Sequence, residues 1–344
     1  MTSAPSPLEL GYRLPAEWEP HAATWLAWPH RKATWLGDFS PIPDVFEKVA
    51  RLLALREPVK IIASGESLLD AQQRVGDIEE IECIDIPTND SWLRDTGPVF
   101  LVPDGDPSLP TAAITWKWNA WGGKYPPWDD DARVANAITS KIGLPHFEPD
   151  IVLEGGAIET DGEGTLLVNK NCVVDEKRNA GLSQNEMEKI LREQLGIEKV
   201  IWIGGSLQGD DTDGHIDQLA RFVATGHIVV ARQPDSDDLN HASLNENIEL
   251  LREVTDAKGN HLEITLIDIP PCFAFEEVQL PASYLNFYVA SNLVLVPVFG
   301  VNTDDAALRN LSECFPNHAI EPVDCHELIR GRGALHCITR DQPA

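Results

Sequence analysis

Residues 150–169, DIVLEGGAIETDGEGTLLVN, place two β-rich apolar runs on either side of a glycine-containing turn, which predicts a β-hairpin. A helix-like stretch, SQNEMEKILREQLG (183–196), and a short strand, KVIWIG (199–204), come next. The same order then returns. HIDQLARFVATGHIVVARQ (215–233) is a hairpin turning at ATGH, SLNENIELLREVTDA (243–257) a helix, and LEITLIDIP (262–270) a strand. A third unit runs through SYLNFYVASNLVLVPVF (283–299), DDAALRNLSECF (304–315) and AIEPVDC (319–325). Upstream, SWLRDTGPVFLV (91–102) and TAAITWKW (111–118) precede a helix-like DDDARVANAITSKIG (129–143). That makes four units.

The remaining segments make a fifth when the chain ends are joined. The tail offers one strand, GALHCIT (333–339), and the front offers ATWLAWP (23–29), the helix-like VFEKVARLLALR (45–56) and the strands VKIIAS (59–64) and IECIDIP (81–87). A ring whose last repeat is closed by both termini protects its sheet edges. The expected fold is therefore α/β: a single-domain five-bladed αβ propeller with pseudo-five-fold ββαβ repeats over residues 1–344. A doubly wound parallel sheet is the competing architecture, but tight turns inside every unit oppose it, since parallel strands need crossovers. No GxGxxG or Walker motif marks a nucleotide site.

Composition sets limits on function. The 344 residues suffice for a large core, and 43% hydrophobic with 24% charged residues is an ordinary globular balance. With 55 acidic against 27 basic residues the formal net charge is -28, which argues against nucleic acid and anionic membrane surfaces and would draw in a cation. Such charge also simply keeps a protein soluble. The N-terminal run reads as neither a secretory signal nor a membrane span, so the expected location is cytoplasmic. Six scattered cysteines (Cys83, Cys172, Cys272, Cys314, Cys325, Cys337) without CxxC pairs are expected to be reduced thiols, mostly core filler.

In a ring of repeats, equivalent positions converge on one axis. The first strand of successive units carries Asp95, then Glu154, then His215 with Asp217, and finally Cys337; the fourth unit offers Tyr284 and Asn286 instead. Spacings of 59, 61 and 122 residues, the last two units long, keep these groups in phase. Cys337 alone would read as buried filler. On a strand His336 would face away from Cys337 and reads as a packed or surface histidine. The acidic run at 210–217 invites a metal reading, but an EF-hand register puts Gly209 first and Ala220 last, where carboxylates belong, and Cys325, His326, His336 and Cys337 diverge on extended chain. No metal and no cofactor is expected. Trp92 and Trp121, next to these motifs, are candidate cation-facing walls, and the glycines of the EGG and WGG runs candidate points of close backbone approach.

Several carboxylates would repel a developing oxyanion, which disfavours protease-like chemistry. A planar guanidinium reverses that logic: carboxylates grip its N–H fork, and its charge favours a thiolate. The motifs LPAEWEPHAATWLAWP (14–29), NDSWLRDTGP (89–98), LEGGAIETDGEGT (153–165), DDTDGHID (210–217), ASYLNFY (282–288) and LHCITRDQP (335–343) together resemble the agmatine deiminase family, related to bacterial peptidylarginine deiminases within the guanidine-modifying, or pentein, superfamily. The resemblance implies hydrolysis of agmatine to N-carbamoylputrescine and ammonia on a five-bladed propeller. It implies Cys337 as nucleophile, His215 as general acid and base, Asp95 and Asp217 as guanidinium ligands, and Glu154 as the acid orienting the histidine; from their place next to these motifs, Trp92, Trp121 and Gly155 are expected to line the substrate site. The expected partner is a small cationic guanidine; homodimerisation is left open. Where the family shows three glycines, this chain has Gly331, Arg332, Gly333, which bears on recognition of the substrate's tail. Another guanidine, such as a peptide-terminal arginine, and a noncatalytic amine-binding protein are the alternatives.

Overall fold

The computed structural model describes residues 5–271 and 273–344. Helices arise where the apolar period and the caps agree. Gln184–Leu195 begins at a capping box in which Ser183 and Glu186 satisfy each other's backbone, buries Met187, Leu191 and Leu195 at a four-residue interval, and stops at Gly196 in the left-handed region (φ 66°). The following strand, Lys199–Ile203, runs parallel to Thr165–Asn169, which pairs antiparallel with Ile158–Thr160. The hairpin, helix and parallel strand expected from 150–204 are therefore all present.

The pattern repeats along the chain. Ala220–Ala224 pairs antiparallel with His227–Arg232, and Glu263–Asp268 adds in parallel after the helix His241–Glu253. Tyr288–Ala290, Leu293–Val298 and Ala319–Asp324 make the next such sheet around the helix Asp304–Cys314. Val99–Pro103, Ala112–Ile114 and His146–Phe147 make another, widened by Tyr12–Arg13. The C-terminal strand Thr339–Pro343 pairs antiparallel with His21–Ala27, which continues in parallel into Val59–Ala63 and Ile81–Asp85. The last strand of the chain thus completes the sheet of the first. A two-stranded hairpin, Phe273–Phe275 with Val278–Leu280, stands apart from these five mixed sheets and was not foreseen. The structure establishes an α/β fold of these sheets, each with antiparallel and parallel pairs. Among the described residues no helix is long and apolar enough to cross a membrane. Cys83, Cys172, Cys314, Cys325 and Cys337 are free thiols, while Cys272 lies outside the described residues.

One local feature departs from expectation and matters for function. The phased polar residues do not sit on strands. Asp95 lies in the one-turn helix Leu93–Thr96, Asp217 in the 3-10 turn Ile216–Gln218 capped by His215, and Cys337 in the helical turn Leu335–Ile338. Glu154 caps the 3-10 turn Gly155–Ala157. Each turn immediately precedes or leads into a strand. Strand alternation therefore does not separate His336 from Cys337: on a helical turn, successive side chains differ by about 100° rather than 180°.

Buried polar groups tie the sheets together. Glu57, at the end of the first long helix, accepts from His21 Nδ1 at 3.1 Å, from Thr24, and from the Ser291 backbone N–H at 2.7 Å, joining the first sheet to the one built on Leu293–Val298. Burial opposes the charge on His21, but the hydrogen bond and charge of Glu57 outweigh it and raise the imidazolium pKa to about 9. Because the folded value exceeds the unfolded one, this stabilisation is complete below about pH 6.5 and is lost as pH rises through 9, amounting to about 3 kcal/mol. The expected result is a Tm that falls between pH 7 and 9.5 in the natural protein and falls distinctly less in His21→Asn, measured by calorimetry.

Candidate functional site

Two of the one-turn helices bring Asp95 and Cys337 to one cavity of about 220 Å³, lined also by Trp92, Trp121, Tyr125 and Arg332, while Glu154, His215 and Asp217 are buried outside that lining. Short turns suit this task because they end the strand's alternation and let consecutive residues serve different partners. Trp92 and Trp121 are buried and wall the cavity, as expected. Trp121 adopts a left-handed backbone (φ 53°), and its indole N–H donates to Asp95 Oδ2 at 3.0 Å. The other Asp95 oxygen accepts from the Gly156 N–H at 2.9 Å.

Asp217 and Cys337 stand together, with the sulfur 3.6 Å from Asp217 Oδ2. Asn286 clasps the cysteine turn: its Nδ2 is 3.1 Å from the sulfur, and its Oδ1 accepts from the backbone N–H groups of Ala334 at 3.2 Å and His336 at 3.1 Å. Burial, with the Asp217 and Asp95 carboxylates, pushes the Cys337 thiol well above its usual range. His215 Nδ1 lies 3.7 Å from Asp95 Oδ1. Burial disfavours its charged form, yet Asp95, Asp217 and Glu154 together raise its pKa. Asp95 is also raised, by burial first. Asp217 moves the other way: burial opposes ionisation, but the hydrogen bond and charge of His336 keep its carboxyl low.

Gly156 shows how closely these groups meet. A Cβ there would fall 2.6 Å from His215 Nδ1, 2.9 Å from Asp95 Oδ1 and 3.1 Å from Asp217 Oδ2, so one missing methyl group separates three sequence-predicted residues. Gly155, expected to line the site, does not face the cavity. Its absent Cβ points at the Arg94 carbonyl oxygen, 2.1 Å away, and the residue serves the packing of two chain segments. Glu154 is fully buried, and its Oε1 accepts from Arg178 Nε at 2.6 Å. Its Oε2, His215 Nε2 and Asp217 Oδ1 are left without hydrogen-bond partners among the described residues.

The acidic run at 210–217 is consumed by protein cations and amides. Asp213 binds Lys124 at 2.6 Å and Arg178 at 2.8 Å, Asp210 accepts from Thr212 and the Gly214 N–H, and Asp211 binds Arg332 and the Tyr125 hydroxyl. Arg178, absent from the sequence reading, anchors Glu154, Asp213 and the Thr212 carbonyl at once. Asn286 is the in-phase residue of the fourth unit, but nothing in its local sequence shows that it holds the turn that carries Cys337.

Arg332 stands at the cavity mouth in the left-handed region (φ 68°), 3.1 Å from Asp211 Oδ2 and 3.2 Å from the Tyr125 hydroxyl. Its glycine neighbours are fixed by packing: Cβ atoms on Gly331 and Gly333 would meet the Trp92 ring at 2.8 and 2.6 Å. The middle position alone is open to a side chain, which explains how the departure from three glycines is accommodated.

A buried thiol against a carboxylate, with a second carboxylate and an imidazole grouped next to it, on sheets of this kind, is an arrangement suited to a planar cation. The sequence matches the Porphyromonas-type peptidyl-arginine deiminase family over residues 13–343, and the chain belongs to that family. An agmatine deiminase of Enterococcus faecalis, solved while catalysing its reaction, superposes with a TM-score of 0.93 at 30% identity, covering 99% of this chain and 98% of that one. A cysteine-to-serine form of the agmatine deiminase from C. jejuni with substrate bound superposes with a TM-score of 0.87 at 29% identity, covering 96% of each chain. A Legionella pneumophila relative, provisionally named an agmatine deiminase, is 36% identical over 342 residues, 98% of this chain and 97% of that one.

Proposed function

We propose that this protein hydrolyses agmatine to N-carbamoylputrescine and ammonia through a covalent intermediate on Cys337. The observation that carries the reading is the meeting of Cys337 with Asp217 at 3.6 Å, and of Asp217 with Asp95 and His215 around Gly156, next to a tryptophan-walled cavity that Cys337 and Asp95 line. Asp95 and Asp217 hold the guanidinium in a plane, and the partnerless Asp217 Oδ1 is an acceptor awaiting an N–H. The cation offsets the two carboxylates that otherwise oppose thiolate formation, so substrate binding itself ionises the sulfur. Cys337 then attacks the guanidinium carbon. His215, kept protonated by its carboxylate neighbours, gives its proton to the departing nitrogen, and ammonia leaves an amidino group on sulfur. Neutral His215 next takes a proton from water, which attacks the same carbon and expels the cysteine, releasing the ureido product. No step calls for a cofactor.

We further read the five mixed sheets as blades of a five-bladed propeller forming one catalytic domain in the cytoplasm. Pairing of the two chain ends and the convergence of the turns that bear Asp95, Gly156, His215 and Asp217 support the propeller reading.

A second substrate reading has one observation in its favour. Arg31, Arg330 and Arg332 all line the cavity, and Arg332 already engages Asp211, a cavity carboxylate that could otherwise meet an amine tail. The same chemistry on a guanidine with an acidic tail would use these arginines. An ammonia-release screen of agmatine, free arginine and arginine-terminated peptides separates the two: agmatine is expected to be turned over fastest, and no release from agmatine would overturn the primary reading. Arg332→Gly tests the tail directly. Freeing Asp211 is expected to lower the KM for agmatine by about threefold to fivefold with kcat unchanged, the effect of one partly exposed ion pair. A raised KM would instead show that Arg332 holds the substrate.

A further inference from the structure

His336, read from sequence as a packed or surface histidine, is 2% exposed and held at both ends of its ring. Nδ1 lies 2.7 Å from Asp217 Oδ2, and Nε2 lies 2.8 Å from Glu17 Oε2. A neutral imidazole has one N–H and one lone pair, and a lone pair set at that distance from a carboxylate oxygen repels it. Both contacts attract only when the ring carries both protons. Glu17 is itself anchored: it accepts from Arg94 Nη2 at 3.1 Å, Arg221 Nη2 at 3.0 Å and the Val289 N–H at 2.8 Å. Burial opposes its ionisation, but Arg221, His336 and Arg94 keep its carboxyl far below the usual range. The His336 backbone is fixed as well, since its carbonyl accepts from Arg94 Nε at 3.3 Å and its N–H donates to Asn286. A chain of alternating charge thus runs from the buried arginines through Glu17 and His336 to Asp217, ending 3.6 Å from the Cys337 sulfur.

We infer that His336 is a positioning residue of the site: as an imidazolium tied to Glu17 it occupies Asp217 Oδ2, leaving Oδ1 as the oxygen that accepts from the substrate guanidinium. The role rests on the reading of Asp217 as a guanidinium ligand. It has two consequences. Asp217 cannot rotate, so its plane is set before substrate arrives. The carboxylate oxygen that stands 3.6 Å from the sulfur is also the one His336 holds, which lessens its opposition to a thiolate. Asp217 and Glu17 face the ring directly, Arg94 and Arg221 face it through Glu17, and Cys337 shares its turn.

Two substitutions separate positioning from packing. The amide nitrogen of Asn stands near the place of Nδ1 and that of Gln near the place of Nε2, so His336→Asn keeps the donor to Asp217, whereas His336→Gln keeps the donor to Glu17 and releases Asp217. The expected result is a KM for agmatine raised about tenfold or more in His336→Gln, the loss of one charge-assisted hydrogen bond, and within about threefold of the natural protein in His336→Asn. Both variants lack the ring charge. In the absence of substrate, alkylation of Cys337 by iodoacetamide should therefore shift its pH profile upward in both, by about half a unit or more. The alkylation profile does not depend on what the enzyme deiminates, so it tests His336 even if agmatine proves not to be the substrate, and Asn alone suffices for it should Gln fail to fold. Unshifted alkylation profiles, or equal KM values in the two variants, would overturn the inference.

Discussion

Cys337→Ala is expected to lower ammonia release from agmatine by roughly 10⁴-fold or more, the scale seen when a covalent nucleophile is removed, while agmatine still binds. The two expectations rest on different groups. Bond making needs the sulfur, which alone among the cavity-lining side chains pairs nucleophilicity with contact to Asp217. On the proposed reading binding rests on Asp95 and Asp217, which are held by groups that do not bond to the sulfur: Trp121 and the Gly156 amide hold the first, His336 the second. Calorimetric titration of the variant with agmatine should return a Kd within about threefold of the natural protein's KM, since the hydrogen bonds that hold both carboxylates do not pass through the sulfur. Retained turnover would remove the cysteine from the chemistry. Lost binding would mean that the sulfur helps to hold the cation.

Gly156→Ala is expected to have the second-largest effect, and without replacing any titratable group. The new methyl carbon would press on His215, Asp95 and Asp217 at 2.6, 2.9 and 3.1 Å, distances that real contacts do not sustain. Those side chains must move. Displacing reacting groups by a fraction of an ångström to an ångström costs activity of about 10²-fold, so kcat/KM should fall by at least that much. Stability should change less, by about 1–3 kcal/mol, as for an overpacked core. Gly155→Ala gives the contrast. Its Cβ would strike the Arg94 carbonyl, which is backbone and cannot yield, so that variant is expected to lose thermal stability before specific activity. Kinetics and thermal melts of the two neighbours, measured side by side, check whether the glycine pair divides into one residue for the site and one for the fold.

Much of this was legible in the sequence. The ββαβ order could be read from periodicity because each helix and strand is long enough to show its period: Gln184–Leu195 buries every fourth residue, and Leu293–Val298 is buried nearly throughout, as a central strand should be. Phase along those repeats brought Asp95, His215, Asp217 and Cys337 to one place, and their contacts bear that out. The local conformation was not legible. Four residues, as in Leu335–Ile338, are too few to display a helical period, and the β-branched residues just beyond them imitate a strand. That single misreading sent His336 to the wrong face.

The supporting charges were hidden for another reason. Glu17 and His336 are 319 positions apart, and Arg178 meets Glu154 and Asp213 across 24 and 35 positions. A buried ion pair leaves no periodic trace at either end, so only the folded chain reveals which partner neutralises which. Arg178 in particular sits in a turn-rich stretch, DEKRNAG, where a solvated charge is the natural first reading. In the structure its side chain is fully buried.

A denaturing quench of the protein during a single turnover of agmatine, followed by digestion and mass spectrometry at successive times, examines the covalent step itself. The account predicts that the peptide containing Cys337 transiently gains the mass of substrate less ammonia, in step with ammonia release, and returns to the free thiol as the ureido product appears. Stoichiometric ammonia release with Cys337 unmodified at every time, or the added mass on another residue, would contradict it.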